Sequence, residues 1–180
     1  NKRLDFSARL KTLVDGRGAE RVVSHLLKPA NEKSFLSIRK ALPGDKFLLW
    51  QWVNDQAVRT NSFHHEPVDL TSHEKWYNDR LSSASTRLWI LEVGGIPVGQ
   101  IRYDKPEGQS CGVIAYSVSQ GYRGKGYGTE MILRTRELAY RELGLSEIQA
   151  NVLLSNKTSI GSFLKAGFTD LGENVIEGHR

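Results

Sequence analysis

The 180-residue chain predicts a mixed α/β fold built on one sheet. Three observations carry that prediction. A Gly94-Gly95 pair separates two strand-like apolar runs, a glycine-rich segment lies between a strand and a long helical stretch, and the second half alternates strand and helix. An antiparallel front half thus runs into a β-α-β-α back half, which a mixed central sheet with flanking helices accommodates. The length suits one domain. With 39 % apolar and 25 % charged residues, the composition is that of a soluble globular chain, not a disordered, collagenous or disulfide-stapled one. No stretch approaches the ~18 apolar residues of a membrane span. Cys111 is the single cysteine, so it has neither an internal disulfide partner nor a companion thiol for a metal. A cytoplasmic setting and no metal are expected.

The elements follow in order. Residues 1–28 read as polar and helical, broken at Asp15-Gly16-Arg17-Gly18 and closed by Pro29, since proline cannot continue a helix. A boundary is placed there, giving an N-terminal helical segment at 1–30 and a main domain at 34–180. Phe35 to Arg39 alternates as a strand, and Phe47 to Val53 reads as a short buried helix ending at Asn54-Asp55. Val58 to Leu70 reads as irregular. Thr71-Ser72-His73-Glu74 has the spacing of a capping box, in which the two side chains satisfy each other's free amides, so a helix is expected through Trp76, Tyr77 and Leu81. Strands follow at Leu88 to Val93 and Pro97 to Tyr103, joined by Gly94-Gly95 as a tight hairpin. A third strand runs from Gly112 to Val118, and a long helix from Gly126 to Leu143 stops at Gly144, a C-cap residue. A strand at Glu147 to Leu154, a helix from Asn156 to Ala166, and an extended piece from Gly167-Phe168 complete the chain.

The strongest chemical signal is Ser117-Val118-Ser119-Gln120-Gly121-Tyr122-Arg123-Gly124-Lys125-Gly126-Tyr127-Gly128. Glycines allow close backbone approach, and a helix start offers free N–H groups at the positive end of its dipole. Phosphate oxygens suit such a place. A nucleoside-triphosphate loop would need Ser or Thr after Gly124-Lys125, where Gly126 stands. A dinucleotide fold would need a different glycine spacing in an early β-α-β unit. Glycine count alone leaves a merely sharp turn equally open. The formal charge of +5 is spread along the chain, unlike the concentrated patch of a nucleic-acid binder, so neither nucleic acid nor membrane is an expected partner.

Arg123-x-x-Gly126-x-Gly128, followed by Asn156-Lys157-Thr158-Ser159-Ile160 through Phe163 and Lys165-Ala166-Gly167-Phe168, resembles the GCN5-related N-acetyltransferases over roughly residues 34–180. That resemblance implies the family's fold, with a splayed strand pair at the acetyl-CoA site. It implies that the backbone from Arg123 to Gly128, through Gly124, Lys125, Gly126 and Tyr127, holds the coenzyme A pyrophosphate, that Ser117 and Val118 meet the pantetheine arm, and that the Val118 N–H polarises the thioester. Asn156 would contact the coenzyme arm. Many members carry a tyrosine seven residues beyond that asparagine, where this chain has Phe163, and a phenylalanine has no proton for the departing thiolate.

Trp52-Val53-Asn54-Asp55 through Arg59, Asn61, Ser62 and Phe63 to His73-x-x-Trp76 resembles the branch that acetylates a UDP-4-amino-dideoxy sugar in pseudaminic acid biosynthesis. The resemblance implies Asn54, Arg59, His73 and Tyr116 as acceptor contacts. It makes His73, which titrates near neutrality, and Tyr116 the catalytic candidates. Each has an ordinary alternative: His73 as a solvent-facing first-turn residue, Tyr116 as packing, Arg59 as a surface ion pair instead of a diphosphate ligand. His64 and His65 read as exposed loop residues, Glu92 as a base through water or a surface charge, and the tryptophans as core or pocket walls. Asp15-Gly16-Arg17-Gly18-Ala19-Glu20-Arg21-Val22 resembles the end of the UDP-sugar hydrolases of that pathway; with Asn1 in place of Met, the expectation is the acetyltransferase end of a fusion. Cys111 reads as inert, so direct transfer in a ternary complex is expected. A ribosomal-protein-type N-terminal acetyltransferase and a non-catalytic coenzyme A or sugar-nucleotide binder are the rival readings.

Overall fold

The structure, a computed structural model, describes residues 35–173 and 175. The expected N-terminal helical segment and its hydrolase-like motif lie outside the described residues. Strand β1 (Leu36–Lys40) leads to helices α1 (Lys46–Val53), α2 (Gln56–Thr60) and α3 (Leu70–Ser82). Strands β2 (Thr86–Val93), β3 (Ile96–Asp104) and β4 (Cys111–Val118) follow, then α4 (Tyr127–Leu143), β5 (Glu147–Ala150) and α5 (Lys157–Lys165). The sheet order is β1-β2-β3-β4-β5. The first four strands pair antiparallel, and β5 joins β4 in parallel, the mixed sheet that the strand–helix order predicts.

Side-chain alternation divides the core between the two faces of the sheet. Trp89, Leu91, Ile101, Tyr103 and Ile114 pack with Met131, Ile132 and Ala139 of α4 and Phe163 of α5. Leu88 and Ile90, the alternate positions of β2, pack instead with Leu49 of α1 and Tyr77 of α3. Buried hydroxyls on the α4 side are satisfied internally: those of Tyr103 and Thr135 lie 2.9 Å apart, and Thr135 donates to the Met131 carbonyl at 2.7 Å, as buried polar atoms require. Trp89 is core, and Trp76 stacks under the Arg102 guanidinium at 5.1 Å.

Three local expectations need correction. Helix α2 takes in Val58 to Thr60, the start of the stretch expected to be irregular, because the Asp55 carboxylate caps the amides of Ala57 and Val58. Helix α3 starts at Leu70 with Asp69 as its N-cap, bonded to the Ser72 amide at 2.9 Å; Asp69 outcompetes Thr71 for that role, and Glu74 pairs with Lys46. Strand β5 ends at Ala150, four residues short of the expected Leu154, because the chain there parts from β4. Residues 168–173 are neither helix nor strand.

Candidate active site at the parting of two strands

The β4–β5 ladder runs from Cys111↔Glu147 to Ile114↔Ala150 and stops, while β4 continues to Val118. On its other edge β4 stays paired with β3 as far as Gly99↔Val118, and the Ser119 amide donates to the Val98 carbonyl at 2.8 Å. Backbone groups in a strand alternate sides, so if Ser119 and Ser117 face β3, Val118 and Tyr116 face the gap. Two N–H groups, not one, are thus presented to anything lying in the gap. The Tyr116 amide has no sequence signature; only strand register reveals it.

The glycine-rich turn follows directly. Gly124 and Gly126 have φ of +76° and +84°, a region costly for residues with a Cβ. Open space surrounds both, and Gly126 is the N-cap of α4. The first helical bond runs from the Glu130 amide to the Gly126 carbonyl, leaving the Gly128 and Thr129 amides directed out of the helix start. An open cradle of amides at a positive helix end, continuous with an unpaired strand edge, fits a pyrophosphate joined to an extended arm that can add to the strand. A cavity of about 1040 Å³ lies along β5 and α5, lined among others by Ala150, Val152, Phe163 and Phe168 and by no residue of β4 or of the glycine-rich turn.

The side chains named from the sequence do not all lie together. The Arg123 Nε donates to the Val118 carbonyl at 2.9 Å, and its Nη2 meets Asp55 at 2.7 Å. It thereby fastens the cap of α2 to the Val118 end of β4. Burial opposes the Asp55 charge, yet Arg123 and the capping amides hold its carboxyl below the usual range. Lys125 Nζ lies 5.4 Å from the Tyr122 ring centroid. Asn156 spends its carbonyl oxygen capping α5, accepting from the Ser159 amide at 3.1 Å.

Tyr116 and His73 lie on opposite faces of the sheet. Tyr116 points toward α4: its ring meets Phe163 edge-on at 5.5 Å, and a Cβ on Gly128 would come 2.7 Å from its Cε2. His73 is buried in the α3 layer beside Trp76 and Tyr77, its Nε2 3.0 Å from the Lys46 carbonyl. Burial lowers its pKa, so near neutrality it is a neutral N–H donor tying α3 to α1.

On the α1 side, the Asn54 amide grips both the N–H and the carbonyl of Val68, at 2.8 and 2.9 Å. Arg59 clasps the next loop through the carbonyls of His64 and Glu66 and the Ser62 hydroxyl. Both residues therefore shape the wall that follows α2. Among the described residues the Arg59 Nε has no hydrogen-bond partner and no carboxylate pairs with this guanidinium. Beside the parting of the strands, Gln100 lies opposite Ser117 in register and donates to its hydroxyl at 3.3 Å, while the Gln100 Oε1 is buried without a partner among the described residues. Sequence reading missed Gln100 because its polarity signals a site only when its strand neighbour is known. Glu92 is bound by Arg39 at 2.6 Å and by the Ser37 hydroxyl, and so belongs to an ion-pair network with Asp45. Cys111 opens β4 at the end remote from Val118, roughly 23 Å away at ~3.3 Å per residue, and burial raises its thiol pKa. Among the described residues no group of three or more His, Cys, Asp or Glu could hold a metal, and no helix is long and apolar enough to cross a membrane.

Comparison with known proteins gives consistent matches. A family model described as an acetyltransferase (GNAT) domain matches residues 36–169. An SPbeta prophage-derived uncharacterized N-acetyltransferase of Bacillus subtilis is 26 % identical over 140 residues, covering 77 % of this chain and 78 % of the relative. The L-methionine sulfoximine/L-methionine sulfone acetyltransferase of Pseudomonas aeruginosa is 29 % identical over 142 residues, 76 % and 82 % of the two chains. Among solved structures, AAC(6')-Ib with paromomycin and acetyl-CoA superposes with a TM-score of 0.69 at 20 % identity, over 80 % of this chain and 88 % of that one. The spermidine N-acetyltransferase of Vibrio cholerae with coenzyme A and spermine gives 0.70 at 20 % identity, over 81 % and 90 %.

Proposed function

The chain belongs to the acetyltransferase (GNAT) domain family, and from that premise we propose that its acceptor is the 4-amino group of a UDP-4-amino-4,6-dideoxy-N-acetyl sugar, the acceptor of pseudaminic acid biosynthesis. That it is an acetyl-CoA-dependent N-acetyltransferase follows from the family and its named relatives. Acetyl-CoA supplies the activated acetyl group. The amides of Gly124 to Gly128 take the pyrophosphate, and the Tyr116 and Val118 edge takes the pantetheine arm. Their N–H groups face the gap where thioester charge develops, the placement that stabilises an oxyanion without reorganisation.

The observation that carries the acceptor reading is Arg59. A half-buried guanidinium with no carboxylate partner among the described residues lies on α2, the helix whose cap Arg123 fastens to Val118. A cation so placed favours an anionic acceptor, and its planar fork suits a diphosphate. The same feature suits the carboxylate of an amino-acid acceptor such as the sulfone named for the Pseudomonas relative, and it disfavours polycations. A sugar amine beside electron-withdrawing oxygens is neutral more readily than a lysine, so transfer needs little base assistance, and His73, held in the α3 layer, serves as a tie between helices. The remote Cys111 agrees with direct attack.

Mass spectrometry of the products formed from acetyl-CoA and a mixture of the UDP-4-amino sugar, L-methionine sulfone, kanamycin and an N-terminally free peptide tests the reading. The acetylated sugar nucleotide is the expected product. Acetylation of the peptide or kanamycin instead would overturn the acceptor assignment, and coenzyme A binding without any product would return the non-catalytic alternative.

A further inference from the structure

Resting on the acetyltransferase reading above, we propose that Gln100 holds the acceptor amine, its Oε1 taking one amine N–H so that the nitrogen lone pair faces the thioester carbon. The face of the sheet comes first. Ile101 and Tyr103 of β3 join the core beneath α4, and a Cβ on Gly99 would meet Met131 of that helix. Side chains alternate along a strand, so Gln100 and Arg102 face the other way, where Arg102 lies over Trp76 of α3. Ser117, opposite Gln100 in register, shares that face.

The position along the strand comes second. Gln100↔Ser117 is the pair next to Gly99↔Val118, at the end of β4 that has parted from β5. Helix α1 packs on β4, and Asp55, just beyond that helix, is tied through Arg123 to the Val118 carbonyl. On the α4 face the gap is filled, because the Tyr116 ring lies edge-on to Phe163 at 5.5 Å and takes the space beside Gly128. An acceptor therefore approaches from the α1 face, over Gln100 and Ser117.

The chemistry of the pair comes third. The Gln100 Nε2 is spent on the Ser117 hydroxyl at 3.3 Å, while its Oε1 is buried without a partner among the described residues. A buried carbonyl left without a donor is costly, and an amine N–H supplies the donor. A neutral acceptor suits this task, since a carboxylate there would favour the unreactive ammonium form. As nitrogen bonds to the acetyl carbon it gains positive charge, and the N–H···O bond strengthens in the transition state. The carbon–sulfur bond then breaks with its electron pair on sulfur, and the surplus proton of the nitrogen leaves through solvent. Gln100 itself neither gains nor loses a proton.

Gln100→Met, which keeps the length and loses both polar atoms, tests the proposal. With saturating acetyl-CoA, kcat should fall roughly tenfold, the scale of one lost hydrogen bond, while acetyl-CoA affinity by calorimetry stays unchanged. The urea midpoint should hold or rise, because the variant removes an orphaned carbonyl. Gln100→Glu restores an acceptor oxygen; in alkaline buffer it should recover most of the lost kcat, with the acid limb of its pH profile moved to higher pH. A midpoint that falls with kcat would show a structural role and overturn the proposal. So would an unchanged kcat, a rise in acceptor KM alone, or no recovery in Gln100→Glu. The comparison is run on whichever amine of the mixture above the unaltered chain acetylates. An error in the acceptor reading then shows as a different product and leaves the Gln100 result intact, whereas a chain that acetylates none of them overturns both.

Discussion

Tyr116 and His73 carry the same label in the sequence, a titratable side chain near a motif, and the structure gives them different work. His73 illustrates how burial converts a switch into a strut. Its folded pKa lies below the ordinary 6.5, with burial the first cause, so the unfolded chain binds more protons in the window between the two values. Stability is full above pH 6.5 and falls as pH drops through that window. A melting series should show this slope, and His73→Gln, which keeps a donor for the Lys46 carbonyl without titrating, should remove it. Asp45 acts separately: Arg39 holds its carboxyl low, so its contribution persists until the solution reaches the acid carboxylate range. Gly128 gives a second prediction at this scale. Gly128→Ala places a methyl 2.7 Å from Tyr116 Cε2, which forces the ring aside; acetyl-CoA affinity measured by calorimetry should fall at least tenfold, roughly a 1.4 kcal/mol effect, while the far-ultraviolet spectrum stays unchanged.

Among the elements, those announced by short-range chemistry were legible before the structure. The Gly94-Gly95 hairpin closes with φ of +58° and +81°, and α4 runs from its glycine N-cap to Gly144 at φ +61°, because glycine alone adopts these angles without strain. Helix α2 was not legible: five residues carry too little periodicity, and its stability comes from Asp55, whose second partner Arg123 is far away in sequence. That pairing yields a prediction. Asp55→Ala should destabilise the domain by about 1–2 kcal/mol through loss of the cap, whereas Asp55→Asn should keep most of the capping and lose the ion pair with Arg123. Urea unfolding of the two variants separates the contributions, and similar losses in both would show that the ion pair, not the cap, dominates.

At the scale of the molecule, the single mixed sheet was predictable because each strand and helix announces itself locally and the parallel step follows from a β-α-β connection. The interior of the site was less so. Which face of β4 bears Tyr116, which edge bears its amide, and that Gln100 stands opposite Ser117 depend on register, a long-range property invisible to spacing along the chain. The same holds for Arg59, whose lack of a carboxylate partner among the described residues emerges only on folding. Direct acetyl transfer across the β4–β5 gap to an anionic sugar amine is the claim that unites these features. Initial rates of coenzyme A release, with acetyl-CoA and the UDP-4-amino sugar varied together, test it most directly. Release should depend on the sugar nucleotide and give intersecting double-reciprocal lines, the pattern of a ternary complex. Release indifferent to the sugar nucleotide, or parallel lines marking an acetylated enzyme, would contradict it.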